Sequence, residues 1–136
     1  MLMGLNDKQL NKNKSFLQSV IHALSGVYSL ISTERNFRKH LVMALMAILL
    51  GIWLDLSITE WLWITLAIFV VVVAEVLNTV VESIVDLIVG HHYDKSAKKA
   101  KDVAAGGVLI AAIFAVIIGC LIFIPELIQQ FHIGGN

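Results

Sequence analysis

Residues 74 to 86 read Ala74-Glu75-Val76-Leu77-Asn78-Thr79-Val80-Val81-Glu82-Ser83-Ile84-Val85-Asp86, directly after the uncharged apolar run from Trp61 to Val73. At 100° per residue, Glu75, Asn78, Glu82 and Asp86 share an arc of roughly 80° on one helix face. Val76, Leu77, Val80, Val81, Ile84 and Val85 fill the rest of the circumference. A charge at bilayer depth costs several kcal/mol unless it faces protein, water or a counter-ion. A coherent polar stripe on an apolar helix therefore points to a functional site inside a membrane.

Composition agrees with a membrane solvent. The 136 residues are 58% hydrophobic with one proline, and the mean hydropathy is +0.84, values that a small soluble domain would struggle to keep in solution. Ten basic and ten acidic residues cancel, so net charge carries no information about partners, and no nucleic-acid partner is expected. Cys120 stands alone in an apolar run. That excludes an intrachain disulfide and a cysteine-pair zinc site, and Cys120 reads as a small packing residue.

Three segments are apolar enough to cross. Val103 to Ile124 carries no charge over 22 residues, about 33 Å of helix against a hydrocarbon core of about 30 Å, and Pro125 is expected to end it. The first span is expected at about 36–57, with Asp55 at the interface. The second is expected at about 61–89, ending at Gly90-His91-His92, and the third at about 102–124. Phe16, Val20, Ala23, Leu24, Val27 and Leu30 recur at helical spacing among polar residues, so 15–33 reads either as an amphipathic interfacial helix or as a helix packed on the spans. Residues 1–14 read as a polar N-terminal tail and 126–136 as a C-terminal tail, bracketing a membrane-embedded domain at 15–125.

Every Lys and Arg lies either before the first span (Lys8, Lys12, Lys14, Arg35, Arg38, Lys39) or between the second and third (Lys95, Lys98, Lys99, Lys101). The positive-inside rule puts the N-terminus and the 90–102 loop in the cytoplasm, with Trp53, Trp61 and Trp63 at the outer interface. Asp55 and Glu60 then read as solvated outer residues. No cleavable signal is expected, because the first hydrophobic run begins far from the N-terminus.

Depth orders the ladder. Counted from Trp61, Glu75 lies about 21 Å along the helix, leaving roughly 9 Å of hydrocarbon, and Glu82 is about 10 Å further on. Glu34, Lys101 and Asp102 reach the same interface. Such a site suits transfer between a lipid hydroxyl held at the interface and a charged, water-soluble cosubstrate, and phosphoryl transfer fits. It requires a divalent cation on hard carboxylate oxygens, a cation on the phosphate and a base beside the attacking hydroxyl. Glu34 and Glu82 suit Mg²⁺, Lys101 suits the phosphates, and Glu75, the deepest carboxylate, is the natural base.

Blander readings exist for each feature. An intramembrane carboxylate can serve only helix packing, but four aligned polar groups favour a site. A lysine in such a loop usually serves topology or anionic lipid. His91 and His92 lack a third ligand at helical spacing and read as loop residues, while His22 and His40 read as interfacial ones. Gly106 and Gly107 read as close packing of the third span against a neighbour. An ion or proton translocator would need polar residues across the whole membrane, whereas Trp61 to Ala74 offers only Thr65. No soluble-type phosphate loop or protein-kinase signature occurs.

Three stretches together carry a resemblance: Glu34-Arg-Asn-Phe37-Arg38-x-His40, then Ala74-Glu75-x-x-Asn78-x-x-x-Glu82-x-x-x-Asp86, then Ala100-Lys101-Asp102-Val-Ala-Ala-Gly-Gly-Val-Leu. Over about residues 16–125 the chain resembles the small prokaryotic diacylglycerol kinase family. The form of the first motif is similar to the Gram-positive branch, mainly undecaprenol kinases. The resemblance implies an all-α integral membrane fold, with an N-terminal amphipathic surface helix and three transmembrane helices per protomer. It also implies a homotrimer in the cell membrane and phosphorylation of a lipid alcohol by MgATP, either undecaprenol or diacylglycerol. Carried over residue by residue, Glu75 resembles the general base, Glu34 and Glu82 the metal ligands and Asn78 a polar partner in the site. Lys101 with Asp102 resembles the nucleotide-phosphate end. Two departures stand out. Diacylglycerol-type members often carry an acidic residue where this chain has His40, and the small residues after Lys101-Asp102 vary between branches.

Overall fold

The computed structural model describes residues 15–90 and 92–133. The polar segment 1–14, His91 and residues 134–136 lie outside the described residues. Four helices follow one another: α1 (Phe16–Thr33), α2 (Arg35–Trp53), α3 (Ile58–Val89) and α4 (Lys95–Ile133). The chain divides into two units, one ending at Thr33 and one beginning at Glu34.

In the first unit, α1 begins where Ser15 Oγ accepts a hydrogen bond from Gln18 N. Its apolar residues Leu17, Ile21, Leu24, Tyr28 and Ile31 fall on one helical stripe and are all exposed. An amphipathic helix with an uncovered apolar stripe is the form that lies in a membrane interface.

The second unit holds three helices long and apolar enough to cross a membrane. At 1.5 Å per residue α2 is about 28 Å long, close to the hydrocarbon thickness, whereas α3 and α4 reach about 48 and 58 Å and must project beyond it. α3 packs on both α4 and α2, while α2 and α4 barely touch each other. Large apolar side chains such as Leu45, Leu49, Phe69, Ile110 and Leu121 point outward. In water such surfaces would aggregate; in lipid they need no partner, and intrahelical bonding satisfies the backbone.

The α2–α3 turn shows how sequence sets the register. Leu56 N bonds to Gly51 O and Asp55 N to Ile52 O, a Schellman ending with Asp55 in the left-handed region at φ 54°. Asp tolerates that region better than most residues with a side chain. Buried Leu54 and Leu56 flank it and join Ile64 in a small core, with Trp61 and Leu127 packed around them. A Cβ on Gly51 would stand 2.9 Å from the Trp61 indole and 3.0 Å from Leu56 Cδ1, so a side chain there would force those two groups to shift.

Several boundaries differ from the sequence expectation. The first span, α2, stops at Trp53 rather than 57, and α3 starts at Ile58 rather than Trp61. The cause is a capping box: Ser57 Oγ accepts from Glu60 N, and Glu60 Oε2 accepts from Ser57 N at 2.8 Å. Glu60 is therefore a structural cap and not merely solvated. Pro125 does not end the last helix, which runs on to Ile133. Proline removes one helical hydrogen bond and crowds the preceding turn. Ile122 and Phe123 before it and Leu127 after it pack on the same core, and that packing carries the helix past. Added Cβ atoms on Gly106 and Gly107 meet nothing within 4 Å, so packing within the described chain does not account for these glycines. Cys120 is exposed rather than packed.

Candidate functional site

Ile64, Ala67, Val71, Glu75 and Asn78 are the buried residues of α3, and their three- and four-residue spacing makes them one face. The acidic ladder thus continues the face that the rest of the unit covers. Among the described residues, Glu75 at 3% exposure and Asn78 at 7% are the only buried polar or charged ones. Glu82 is half-buried and Asp86 exposed, so the ladder grades from dry to wet along the helix.

Hydrogen bonds fix its orientation. Asn78 Nδ2 donates to Glu82 Oε1 at 3.1 Å. A carboxylate can only accept, so this bond determines which end of the amide is which. The other end, Asn78 Oδ1, is buried with no hydrogen-bond partner among the described residues. A buried orphan acceptor is costly, and a donor or a cation in the site would complete it. Thr79 Oγ1 donates back to Glu75 O and Ser83 Oγ to Thr79 O, so these hydroxyls add no unsatisfied group to the apolar helix.

α2 supplies two further groups. Glu34, in extended conformation at its N-cap position, and His40, one and a half turns on, act electrostatically on Glu75 together with Glu82. Glu34, His40 and Glu82 thus lie within electrostatic range of Glu75. His40 was not singled out by periodicity, because its significance comes from the register of α2 on α3.

The start of α4 closes the polar end. Asp94 Oδ1 accepts from Ala97 N at 2.8 Å and caps the helix. Lys101 Nζ donates to Asp86 Oδ1 at 2.8 Å, and Lys98 Nζ to Asp102 Oδ2 at 2.5 Å. Lys101 is thus tied to the wet end of the ladder, and Asp102 to a lysine of its own helix. A groove of about 430 Å³ at this end is lined by Asp86, His92, Tyr93, Lys98, Lys101 and Asp102, among others. His92 and Tyr93 are exposed there. Among the described residues no group of three or more His, Cys, Asp or Glu side chains could by itself cage a metal ion.

A dry carboxylate beside an orphan amide oxygen, with a lysine pair at the wet end, is arranged for chemistry at a membrane surface. The profile of the prokaryotic diacylglycerol kinases matches residues 21–123, a stretch holding all these groups. This chain belongs to that family. It is 43% identical over 117 residues to the undecaprenol kinase of Bacillus subtilis, covering 86% of this chain and 94% of the relative. It is 40% identical over 127 residues to a diacylglycerol kinase of Synechocystis, covering 90% of this chain and 73% of the relative. The diacylglycerol kinase of Escherichia coli K12 is 35% identical over 89 residues, 65% of this chain and 72% of the relative. Membership makes the all-helical, three-span unit a membrane-integral lipid kinase fold.

Proposed function

We propose that this chain transfers the γ-phosphate of ATP to undecaprenol at the cytoplasmic face of the cell membrane, with Glu75 as general base. The observation that carries the reading is the buried Glu75 on the same face as the orphaned Asn78 Oδ1. A base must sit within hydrogen-bond reach of the proton it takes, and a dry carboxylate meets a lipid alcohol without competition from bulk water. The likeness to the Bacillus subtilis undecaprenol kinase supports undecaprenol over diacylglycerol.

The residues fit Mg²⁺. That ion is commonly held by one or two carboxylates together with substrate phosphates, not by an all-protein cage. Glu34 and Glu82, both within electrostatic range of Glu75, are two such carboxylates. When bound, Mg²⁺ neutralises phosphate charge during transfer. Asn78 holds Glu82 in place through its amide. Lys101, with Asp102 alongside, supplies the positive end for the nucleotide phosphates, at the N-terminal part of a helix whose dipole also favours anions. Exposed apolar faces on all three spans leave room for homotrimer assembly, which crosslinking in native membranes would reveal as a three-chain band.

Purified protein with MgATP and a panel of undecaprenol, shorter prenols and diacylglycerol tests the reading. Undecaprenol is expected to turn over at least tenfold faster than diacylglycerol at equal surface concentration. The reverse order would make it a diacylglycerol kinase, and no transfer to any alcohol would sink the proposal. In the same assay, Glu34→Gln and Glu82→Gln should each raise the Mg²⁺ concentration for half-maximal rate about tenfold or more. Unchanged Mg²⁺ dependence would remove them as ligands. A proton or ion translocator is disfavoured, since the buried face above Glu75 is Ile64, Ala67 and Val71, with no polar group to continue a path.

A further inference from the structure

Ile118, Ile122, Phe123 and Leu127 on one side of α4 reach the small core of Leu54, Leu56 and Ile64. Another side carries Ile117, Leu121, Ile124, Ile128 and Phe131 at three- and four-residue spacing, all of them exposed. Bulky side chains in an unbroken stripe mark a face turned to lipid, since seams between membrane helices favour small residues. The stripe does not stop where the hydrocarbon does. Asp55 is exposed in the turn after α2, a charge that hydrocarbon would reject, with Trp53, Trp61 and Trp63 on either side of it in sequence as in an interfacial belt. Along α4 the next charge after Asp102 is Glu126, about 36 Å on, just beyond a hydrocarbon core of about 30 Å. Leu127 packs against Leu54 and Leu56 beside that turn, so it marks the edge of the core. Ile128 and Phe131 then stand about 1.5 and 6 Å further along the axis, in a headgroup layer about 5–7 Å deep. There a hollow of about 350 Å³ is lined, among the described residues, by Ile124, Leu127, Ile128 and Phe131 alone. Exposed Gln129 and Gln130, with half-buried Glu126, occupy the other side of the same turns.

We infer that the helix beyond Pro125 is an interfacial anchor, with Ile128 and Phe131 seated in the headgroup layer of the leaflet opposite the acidic ladder. An amphipathic segment in this layer buries its apolar side about 5–10 Å into the boundary between headgroups and acyl chains and leaves its polar side wet. Residues 126–133 contain no Lys or Arg, so the lipid that covers this face is zwitterionic and is held by apolar burial, not by charge. A second copy is the competing occupant. Continuity with the lipid-facing Ile117 and Leu121, and the bulk of every side chain in the stripe, favour lipid. The seat resists sliding of α4 along the membrane normal, and so holds the level of Lys101, about 45 Å back along the same helix. The inference goes beyond the lipid-kinase reading and does not depend on it.

The test places single nitroxide labels on the segment in phosphatidylcholine vesicles. Cys120 is the chain's one cysteine, so Ile128→Cys, Gln129→Cys, Gln130→Cys and Phe131→Cys are each made with Cys120→Ser. Collisions are read with oxygen, which concentrates in lipid, and with a nickel chelate, which stays in water. At positions 128 and 131 oxygen collisions are expected to exceed nickel collisions about threefold or more, with the order reversed at 129 and 130. Raised salt should change neither, because no charge holds the segment down. The unsubstituted chain gives an independent reading: a phosphatidylcholine carrying a diazirine on the first carbons of its acyl chain should leave adducts on Ile128 and Phe131. Equal nickel access at all four positions, or adducts that end at Ile124, would overturn the inference by putting the segment in water. Low access to both reagents at 128 and 131 would overturn it as well and give the face to a second copy, which spectral broadening between labels on neighbouring copies would show.

Discussion

Glu75→Gln is expected to lower kcat for undecaprenol phosphorylation by about 10³-fold, within the span that general bases contribute. The substitution keeps shape and burial and replaces a proton acceptor by an amide that cannot take the proton. Folding should survive. Thr79 Oγ1 donates to the Glu75 backbone carbonyl, a bond that glutamine preserves. No charge is left unpaired in the apolar face, so thermal unfolding in detergent should stay at or above that of the wild type. Glu75→Asp supplies the geometric control. It retains the carboxylate but withdraws it by one methylene, and a misplacement of about 1 Å can cost about 10²-fold. Single-turnover transfer from labelled ATP reads both variants. A Glu75→Gln rate within tenfold of wild type would refute the base assignment, because no other buried carboxylate is available among the described residues.

The ladder was legible because it depends on one helix. Helical angle alone placed Glu75, Asn78, Glu82 and Asp86 together, and loop charge ordered the spans. The structure adds that the face carrying Glu75 and Asn78 is the buried one. The Ser57-x-x-Glu60 cap was equally readable, since a capping box is a local pattern, and it sets the start of α3 three residues before Trp61. Pro125 misled because a local breaker competes with packing contributed by Leu54 and Ile64, distant in sequence. His40 lay beyond reach for a related reason. A histidine near the end of a span reads as interfacial until the register of α2 against α3 and α4 is known, and periodicity within one helix does not contain that register. The Asp86–Lys101 pair, 15 residues apart, depends likewise on the antiparallel alignment of α3 and α4.

That pair underlies the second large effect: Lys101→Met is expected to lower kcat/KM for MgATP by about 10²-fold or more, while thermal stability changes little. The two consequences separate because the pair is exposed, with side chains 37% and 61% accessible. Exposed ion pairs contribute little to folding, so the melting temperature should move by less than about 3 °C. In catalysis the same charge counts for more, since a preorganised cation meets charge that develops on the phosphate during transfer. Asp86 holds the ammonium at the wet end of the ladder, and the phosphates would then compete with Asp86 for it. Asp86→Asn should therefore cost far less than Lys101→Met. Lys101→Arg should recover only part of the activity, because a planar fork does not reproduce a compact ammonium. Lys99→Met removes a nearby loop charge without touching the pair and should change kcat/KM less than twofold. Equal losses in Lys99→Met and Lys101→Met would mean that the lysines act only through the surface field of the loop, and Lys101 would lose its assignment to the phosphates.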